Sequence, residues 1–207
     1  MSVATPTTPP TTSVVPGGYL NRRFTCDEYV RMTELGFFAS QRVELIGGDI
    51  LVRTTMGNRH AIGIELLRVA LAGVFGAGFW VRIQMTLDLA PHGMPDPDVA
   101  VVIGGLQAFS GRQGNPTTAE LVVEVSETTL ATDRTRKTSL YAAAGIREYW
   151  ILNLVGDVLE VRRDPQPDTT AEFGLTYGSV TNLRTGDTIS PLAMPAARIV
   201  VADLLPV

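Results

Sequence analysis

Two almost entirely apolar runs constrain the fold of this chain most strongly. They are DVAVVI at 98–103 and LVVEV at 121–125. Runs this apolar are typical of central strands that are covered on both faces of a sheet. Each run nevertheless carries one carboxylate, Asp98 at the start of the first and Glu124 inside the second. An ionised carboxylate in such a strand is costly unless it is paired or binds a cation, so these two acids are candidates for chemistry.

Capping and turn signals place the elements before these strands. Thr25 with Glu28 three residues later has the pattern of a capping box, which predicts a helix that ends near Gly36. The pair Gly47-Gly48 stands between two alternating apolar runs and predicts a tight hairpin. Glu44 falls on the first strand of that hairpin.

The remaining patterns predict an alternation of helices and strands. The segment 58–74 is predicted to be a helix with Ile62, Leu66, Val69 or Ala70, and Val74 on its apolar face. Later segments are predicted as a strand at 81–87, a helix from Thr132 or Asp133 to Ala144, strands at 148–154 and 158–162, and short β pieces over 172–207. This order predicts a single α/β (or α+β) domain, which suits a chain of 207 residues.

Composition excludes several classes of protein. A net charge of −4 argues against non-specific coating of nucleic acid or anionic membrane, although a local basic groove stays possible. One cysteine and two histidines exclude a disulfide scaffold and a multi-thiolate zinc site. The most apolar region, 69–81, is short and contains three glycines, so no membrane span is expected. Residues 1–20 are predicted to be a disordered Thr/Pro-rich tail on a cytoplasmic protein whose domain covers 21–207.

The lysine content of the chain is unusual. Of its 17 Lys and Arg residues, one is a lysine, Lys137. It lies thirteen positions after Glu124, on the helix expected to pack against that strand. Two carboxylates facing one point would make a hard oxygen site for Mg²⁺ or Mn²⁺, and a compact ammonium could reach them where a wide guanidinium fits poorly. The alternative interpretation is that the carboxylates face a solvated edge of the sheet and that Lys137 is an ordinary solvated helix residue.

Several segments, taken in order, resemble the Uma-type restriction endonuclease family of the PD-(D/E)XK nuclease superfamily. The resemblance covers about residues 24–154. It is carried by RVELIGG at 42–48, His60 at the start of a helix, PDVAVV at 97–102, LVVEVS at 121–126, Asp133, Lys137, Tyr141, the pair Ala144-Gly145, and EYW at 148–150.

This resemblance implies a restriction-endonuclease-like core, a mixed β-sheet flanked by helices, in an endonuclease that hydrolyses DNA phosphodiester bonds with Mg²⁺ or Mn²⁺. Asp98 and Glu124 take the places of the metal-binding acids, and Glu44 would complete the site. The residue that follows Val125 is Ser126, where the superfamily pattern has lysine. In this family the lysine comes from the next helix, where Lys137 stands.

Other residues and alternatives stay open. His60 could contact phosphate or the metal site, and Tyr141, four residues after Lys137, could pack over it. The alternatives are hydrolysis of RNA and a catalytically inactive nuclease-fold module for binding or assembly, which Ser126 and the acidic net charge favour. A homodimer is expected in either case. The arginines that could line a groove for a phosphate backbone are Arg22, Arg23, Arg53, Arg59, Arg82, Arg134 and Arg136.

Overall fold

The computed structural model describes residues 13–15 and 19–206. The strands are β1 (Ser13–Val15), β2 (Tyr19–Asn21), β3 (Val43–Ile46), β4 (Asp49–Val52), β5 (Phe79–Ile83), β6 (Gly93–Met94), β7 (Val99–Ile103), β8 (Leu121–Ser126), β9 (Glu148–Asn153), β10 (Val158–Pro167), β11 (Leu175–Leu183), β12 (Thr188–Ile189) and β13 (Ile199–Val200). The helices are α1 (Cys26–Glu34), α2 (Asn58–Phe75), α3 (Leu130–Thr132) and α4 (Thr138–Ala143), with a π-helical turn, Asp133–Lys137, between the last two.

The predicted disordered tail lies largely outside the described residues. Where the structure describes this region, β1 and β2 pair as a short antiparallel ladder. The disorder of residues 1–12 and 16–18 therefore stays a prediction.

Six strands form the central sheet, in the order β11-β10-β9-β8-β7-β5. Neighbouring strands are antiparallel except β8 and β9, which run parallel. A parallel pair needs a crossover connection, and α3, the π turn and α4 supply it across one face of the sheet. The predicted mixed sheet flanked by helices is confirmed.

Both faces of the sheet are covered, as the two apolar runs predict. On one face, Val99 and Val123 pack in a cluster with Leu67 of α2. On the other face, Val122 packs with Leu140 of α4. Side chains alternate between faces along a strand, so the even-numbered residues of β8, including Glu124, point towards the crossover helix.

The predicted apolar face of helix α2 is only partly correct. Ala70 and Val74 pack against the core as predicted, but Ile62 and Val69 are exposed. The buried residues of the helix are Gly63, Ile64, Leu67, Leu71 and Phe75. The helix is apolar on all sides, so periodicity could not identify its inner face. The segment Asn58–Gly78, with a mean hydropathy of 1.6, is long and apolar enough to cross a membrane by length and composition alone. The expectation that no such stretch exists is therefore wrong, although a core helix can pass the same test.

A smaller sheet, in the order β4-β3-β6, carries Glu44. The Gly47-Gly48 turn has φ values of 57° and 86°, and the predicted hairpin is confirmed. Helix α1 packs beside it, with Tyr29 in one apolar cluster with Leu45. The predicted capping box at the start of α1 is also present.

Two predicted boundaries are wrong. The strand predicted at 81–87 ends at Ile83, because Gln84 adopts a left-handed conformation with φ of 49°. The crossover helix begins at Leu130, before the predicted cap at Thr132 or Asp133. The Asp133 carboxylate lies inside the π turn and accepts a hydrogen bond from Thr129 Oγ1 at 2.6 Å.

Candidate active site

Strands β7 and β8 bring the two predicted metal-binding acids together. Val99 pairs with Val123, and this register places Asp98 opposite Glu124. The Val125 amide donates to Asp98 Oδ2 at 2.9 Å, and the Asp98 amide lies 3.4 Å from Glu124 Oε2. Both side chains are buried, each residue being 2% exposed. The two carboxylates therefore lie side by side where β7 begins and β8 ends.

Lys137 joins these acids to the hairpin. Its Nζ donates to Glu124 Oε1 at 3.0 Å and lies 3.3 Å from Glu44 Oε1. Glu44 Oε2 in turn accepts from the Asp96 amide at 3.3 Å. All four residues predicted as the site, Glu44, Asp98, Glu124 and Lys137, converge in one buried cluster.

The π turn contributes to the placement of Lys137. The Thr138 amide donates to the Asp133 carbonyl, five residues back, which widens the helix just before its inner face continues into α4. One turn later, Tyr141 donates from its hydroxyl to Glu124 Oε1 at 2.7 Å. The i, i+4 spacing correctly predicts that Tyr141 shares a face with Lys137, but it does not reveal that the two side chains hold the same carboxylate oxygen.

Asp98 has three further neighbours from other elements. Arg53 Nη2 donates to Asp98 Oδ1 at 2.8 Å, and Gln84 Nε2 donates to the same oxygen at 3.1 Å. His60 Nε2 lies 3.2 Å from Asp98 Oδ2 but lacks the alignment of a hydrogen bond. The structure thus places the secondary candidate His60 beside the cluster. The sequence indicates Arg53 only as one of seven arginines, and no sequence pattern indicates a role for Gln84.

Backbone strain orients Gln84. Its amide contacts the carbonyls of Pro97 at 3.1 Å and Asp98 at 3.2 Å, which holds the residue in the left-handed region. The side-chain oxygen accepts from Arg42 Nη1 at 3.0 Å. With its oxygen so engaged, the amide presents its NH₂ group to Asp98.

The ionisation of Glu124 and Lys137 is strongly coupled. Burial raises the pKa of Glu124 above its ordinary value, although Lys137 acts in the opposite direction. Three carboxylates add to the rise: Asp98, Asp133 and Glu44. Burial by itself lowers the pKa of Lys137, but Glu124 and Glu44 outweigh it and the pKa is raised. The lysine therefore keeps its positive charge at neutral pH.

The cluster has more acids than bases. Burial would raise the pKa of Asp98, but His60 and Arg53 together hold it well below its ordinary value. Within the described residues, only two permanently positive side chains contact these acids. They are Lys137 and Arg53. The buried acids of this cluster are four: Glu44, Asp98, Glu124 and Asp133.

This surplus of carboxylates suits a divalent cation, since hard carboxylate oxygens are the ligands that Mg²⁺ and Mn²⁺ prefer. Within residues 13–15 and 19–206, however, no three His, Cys, Asp or Glu side chains are already arranged to hold a metal ion. Protein donors contact the oxygens of Asp98 and Glu124 instead. The donor set therefore fits such an ion by chemistry and charge, and binding it requires some of these contacts to give way.

The seven arginines expected to line a groove do not converge. Among them, Arg53 contacts a carboxylate of the cluster. Arg23 and Arg136 share the partners Asp49 and Glu172. The remaining four have partners at separate places: Arg22 with Glu28, Arg59 with Leu154 and Asp157, Arg82 with Thr86, and Arg134 with Glu160.

Comparison with known proteins gives the family. The model of the Uma2 family, described as "Putative restriction endonuclease", matches residues 26–202. The chain belongs to the Uma2 family. No curated protein matches the sequence significantly.

Two solved structures are similar to this chain. One is described as a putative nuclease belonging to DUF820 from Anabaena variabilis ATCC 29413. It shares 14% identity, with a TM-score of 0.64 over 87% of this chain and 97% of the other. The second is the type IIG restriction endonuclease BpuSI, with 19% identity and a TM-score of 0.34 over 54% of this chain and 12% of the other. The first comparison supports the fold, and the second is too weak to carry an argument.

Proposed function

We propose that this protein is a metal-dependent endonuclease that hydrolyses DNA phosphodiester bonds. The observation that carries the proposal is one buried cluster in which Glu124 and Glu44 contact Lys137 and Asp98 lies beside Glu124. Membership of a family described as restriction endonucleases supports the same class of reaction. The homodimeric state and the cytoplasmic location stay predictions from the sequence.

Asp98 and Glu124 are the residues that would hold Mg²⁺ or Mn²⁺, with Glu44 binding directly or through water. When bound, such an ion supplies a Lewis acid for a phosphate oxygen and lowers the pKa of a water molecule. The buried carboxylates contribute the negative charge that attracts a cation into this part of the protein.

Lys137 would orient the attacking water and offset the negative charge that develops on the phosphoryl oxygens. Because the cluster raises its pKa, the lysine acts as a fixed positive charge and does not take up a proton during the reaction. Tyr141, through its 2.7 Å hydrogen bond, would hold the Glu124 carboxylate in one orientation. These roles need a compact ammonium beside a fixed carboxylate.

A second candidate function is a nuclease-fold module without catalysis. One observation favours it: Arg53 and Gln84 contact Asp98 Oδ1, and Lys137 and Tyr141 contact Glu124 Oε1. A cluster whose carboxylate oxygens are held by its own side chains could serve stability alone.

Cleavage assays separate these functions. The protein is incubated with supercoiled plasmid DNA, linear duplex DNA and RNA, each with Mg²⁺, with Mn²⁺ or with a chelator. The proposal predicts metal-dependent nicking of DNA that Asp98→Asn abolishes. Glu65→Gln, which changes an exposed acid paired with Arg68, is the control and should cleave like the wild type.

Nicking that persists in Asp98→Asn would contradict the site, and cleavage confined to RNA would contradict the substrate. A folded protein that cleaves nothing with either metal would favour the non-catalytic module.

A further inference from the structure

The guanidinium of Arg53 occupies the mouth of the acid cluster. Its two terminal nitrogens contact Asp98 Oδ1 at 2.8 Å and the Asp96 carbonyl at 2.6 Å. Asp98 is one of the proposed metal ligands. The guanidinium therefore occupies a carboxylate oxygen that a divalent cation would need.

The surroundings of Arg53 would let this side chain leave. Its backbone is fixed, since the Arg53 amide donates to the Arg42 carbonyl at 2.8 Å where the hairpin ends. The four residues that follow, 54–57, are all exposed. The Arg53 side chain is 16% exposed and the Asp98 side chain 2% exposed, so Arg53 is the more accessible partner of this ion pair.

Asp98 would keep other donors if Arg53 withdrew. Gln84 Nε2 contacts Oδ1, and the Val125 amide contacts Oδ2. Both donors are neutral, so they orient the carboxylate without cancelling its charge. Of the donors to Asp98, Arg53 is the one whose permanent positive charge opposes a metal ion.

We propose that Arg53 is a positioning residue that neutralises Asp98 in the metal-free protein, is displaced when a divalent cation binds, and then contacts a phosphate of the nucleic acid. A guanidinium and a divalent cation repel each other and compete for the same carboxylate oxygens. A displaced guanidinium at the rim suits phosphate, which it binds with two parallel hydrogen bonds. The exchange would link metal binding to substrate binding.

This inference rests on the proposed metal-dependent function and is tested first by Mn²⁺ titration calorimetry without DNA. Arg53→Gln removes the charge at Asp98, and Arg68→Gln removes a charge from an exposed ion pair with Glu65, outside the cluster. Arg53→Gln should bind Mn²⁺ at least about tenfold more tightly than the wild type, whereas Arg68→Gln should stay within about threefold because an exposed charge is screened.

Equal or weaker Mn²⁺ binding by Arg53→Gln would overturn the proposed role of Arg53. If the wild type still shows metal-dependent cleavage of DNA, that result overturns the role of Arg53 alone. If neither protein binds Mn²⁺ and neither cleaves DNA, the proposed function fails as well.

A second measurement uses the wild-type protein, so it does not depend on the folding of a variant. Arginine side-chain NMR, with the Arg53 signal assigned by its absence in Arg53→Gln, reports whether the guanidinium is held. Without metal, rotation of the Arg53 guanidinium should be hindered, and saturating Mg²⁺ should release it. An Arg53 signal that saturating Mg²⁺ leaves unchanged would overturn the displacement.

Discussion

Lys137 donates from Nζ to Glu124 Oε1 at 3.0 Å, which joins the one lysine of the chain to a carboxylate of the central sheet. This ion pair links the crossover helix to β8. A buried pair of this kind is weak evidence for net stabilisation, but breaking it by removing one partner is expensive. The role proposed for this pair in the site would account for its presence where net stabilisation does not.

The first prediction concerns stability. Lys137→Met leaves Glu124 and Glu44 buried beside an apolar side chain, so the free energy of unfolding should fall by about 3–5 kcal/mol. Urea denaturation measures this fall. Adding Glu124→Gln should recover part of the loss, because one of the stranded charges is then removed. A fall of less than about 1 kcal/mol in Lys137→Met would contradict the buried pair.

The second prediction concerns the shape of the cation. Lys137→Arg keeps the positive charge, but the wide guanidinium fits poorly between Glu124 and Glu44, so DNA cleavage should slow at least about a hundredfold. Plasmid nicking rates measure the effect. The matched control is Arg68→Lys, the reverse exchange at an exposed ion pair, and it should cleave at the wild-type rate. Wild-type cleavage by Lys137→Arg would show that charge alone is enough.

The third prediction separates structural acids from site acids. Glu148 is fully buried, and its carboxylate accepts from Trp150 Nε1 at 3.0 Å, Arg163 Nε at 2.8 Å and the Leu192 amide at 2.7 Å. Glu148→Gln replaces one acceptor oxygen by a donor and removes the partner charge of Arg163. It should lower the free energy of unfolding by about 2–3 kcal/mol, as measured by urea denaturation.

The same variant should cleave DNA at the wild-type rate per folded molecule. Glu34→Gln, at an exposed position of α1, is the stability control and should change unfolding by less than about 0.5 kcal/mol. Loss of cleavage in folded Glu148→Gln would mean that the site extends beyond the described cluster.

The fourth prediction tests the inner face of α2. Leu67 is fully buried against the sheet, whereas Ile62, on the face predicted from the sequence, is 41% exposed. Leu67→Ala should lower the free energy of unfolding by about 2–5 kcal/mol, and Ile62→Ala by less than about 1 kcal/mol. Thermal and urea denaturation give both values. Equal losses would contradict the observed packing of the helix.

The fifth prediction uses the single cysteine as a pH probe. Burial, with the nearby Asp88 and Asp27, raises the pKa of the Cys26 thiol to about 11. The thiolate is the reactive form, so alkylation should be slow at pH 8 and should accelerate up to about pH 11. Stopped-flow alkylation against pH, with glutathione as the reference thiol, measures the profile. A midpoint near pH 8.5 would indicate an exposed and unperturbed thiol.

Sequence patterns predict the centre of this fold well. The apolar runs around Asp98 and Glu124 become adjacent strands because only central positions tolerate such composition. The spacing to Lys137 becomes a contact because a parallel crossover returns the helix over the strand it follows. The Gly47-Gly48 turn is also predictable, because it depends only on local sequence: glycine accepts the positive φ that a tight hairpin requires.

Features that depend on tertiary packing could not be predicted in this way. Helix α2 is apolar on all sides, so its inner face is chosen by the sheet and not by periodicity. The approach of Arg53 and Gln84 to Asp98 depends on where two separate strands end and, for Gln84, on a left-handed residue with no sequence signal. The end of β5 at Ile83 could not be predicted for the same reason, since the left-handed Gln84 ends the strand.

Anomalous diffraction from crystals grown with Mn²⁺ shows whether the acid cluster binds a metal ion. We expect one anomalous peak in contact with carboxylate oxygens of both Asp98 and Glu124, at roughly 2–2.4 Å, with Lys137 still beside Glu124. In the same map the Arg53 guanidinium should have left Asp98. A fully occupied Mn²⁺ ion elsewhere, with Arg53 still bound to Asp98 and no peak between the two acids, would mean that these acids are not the metal site.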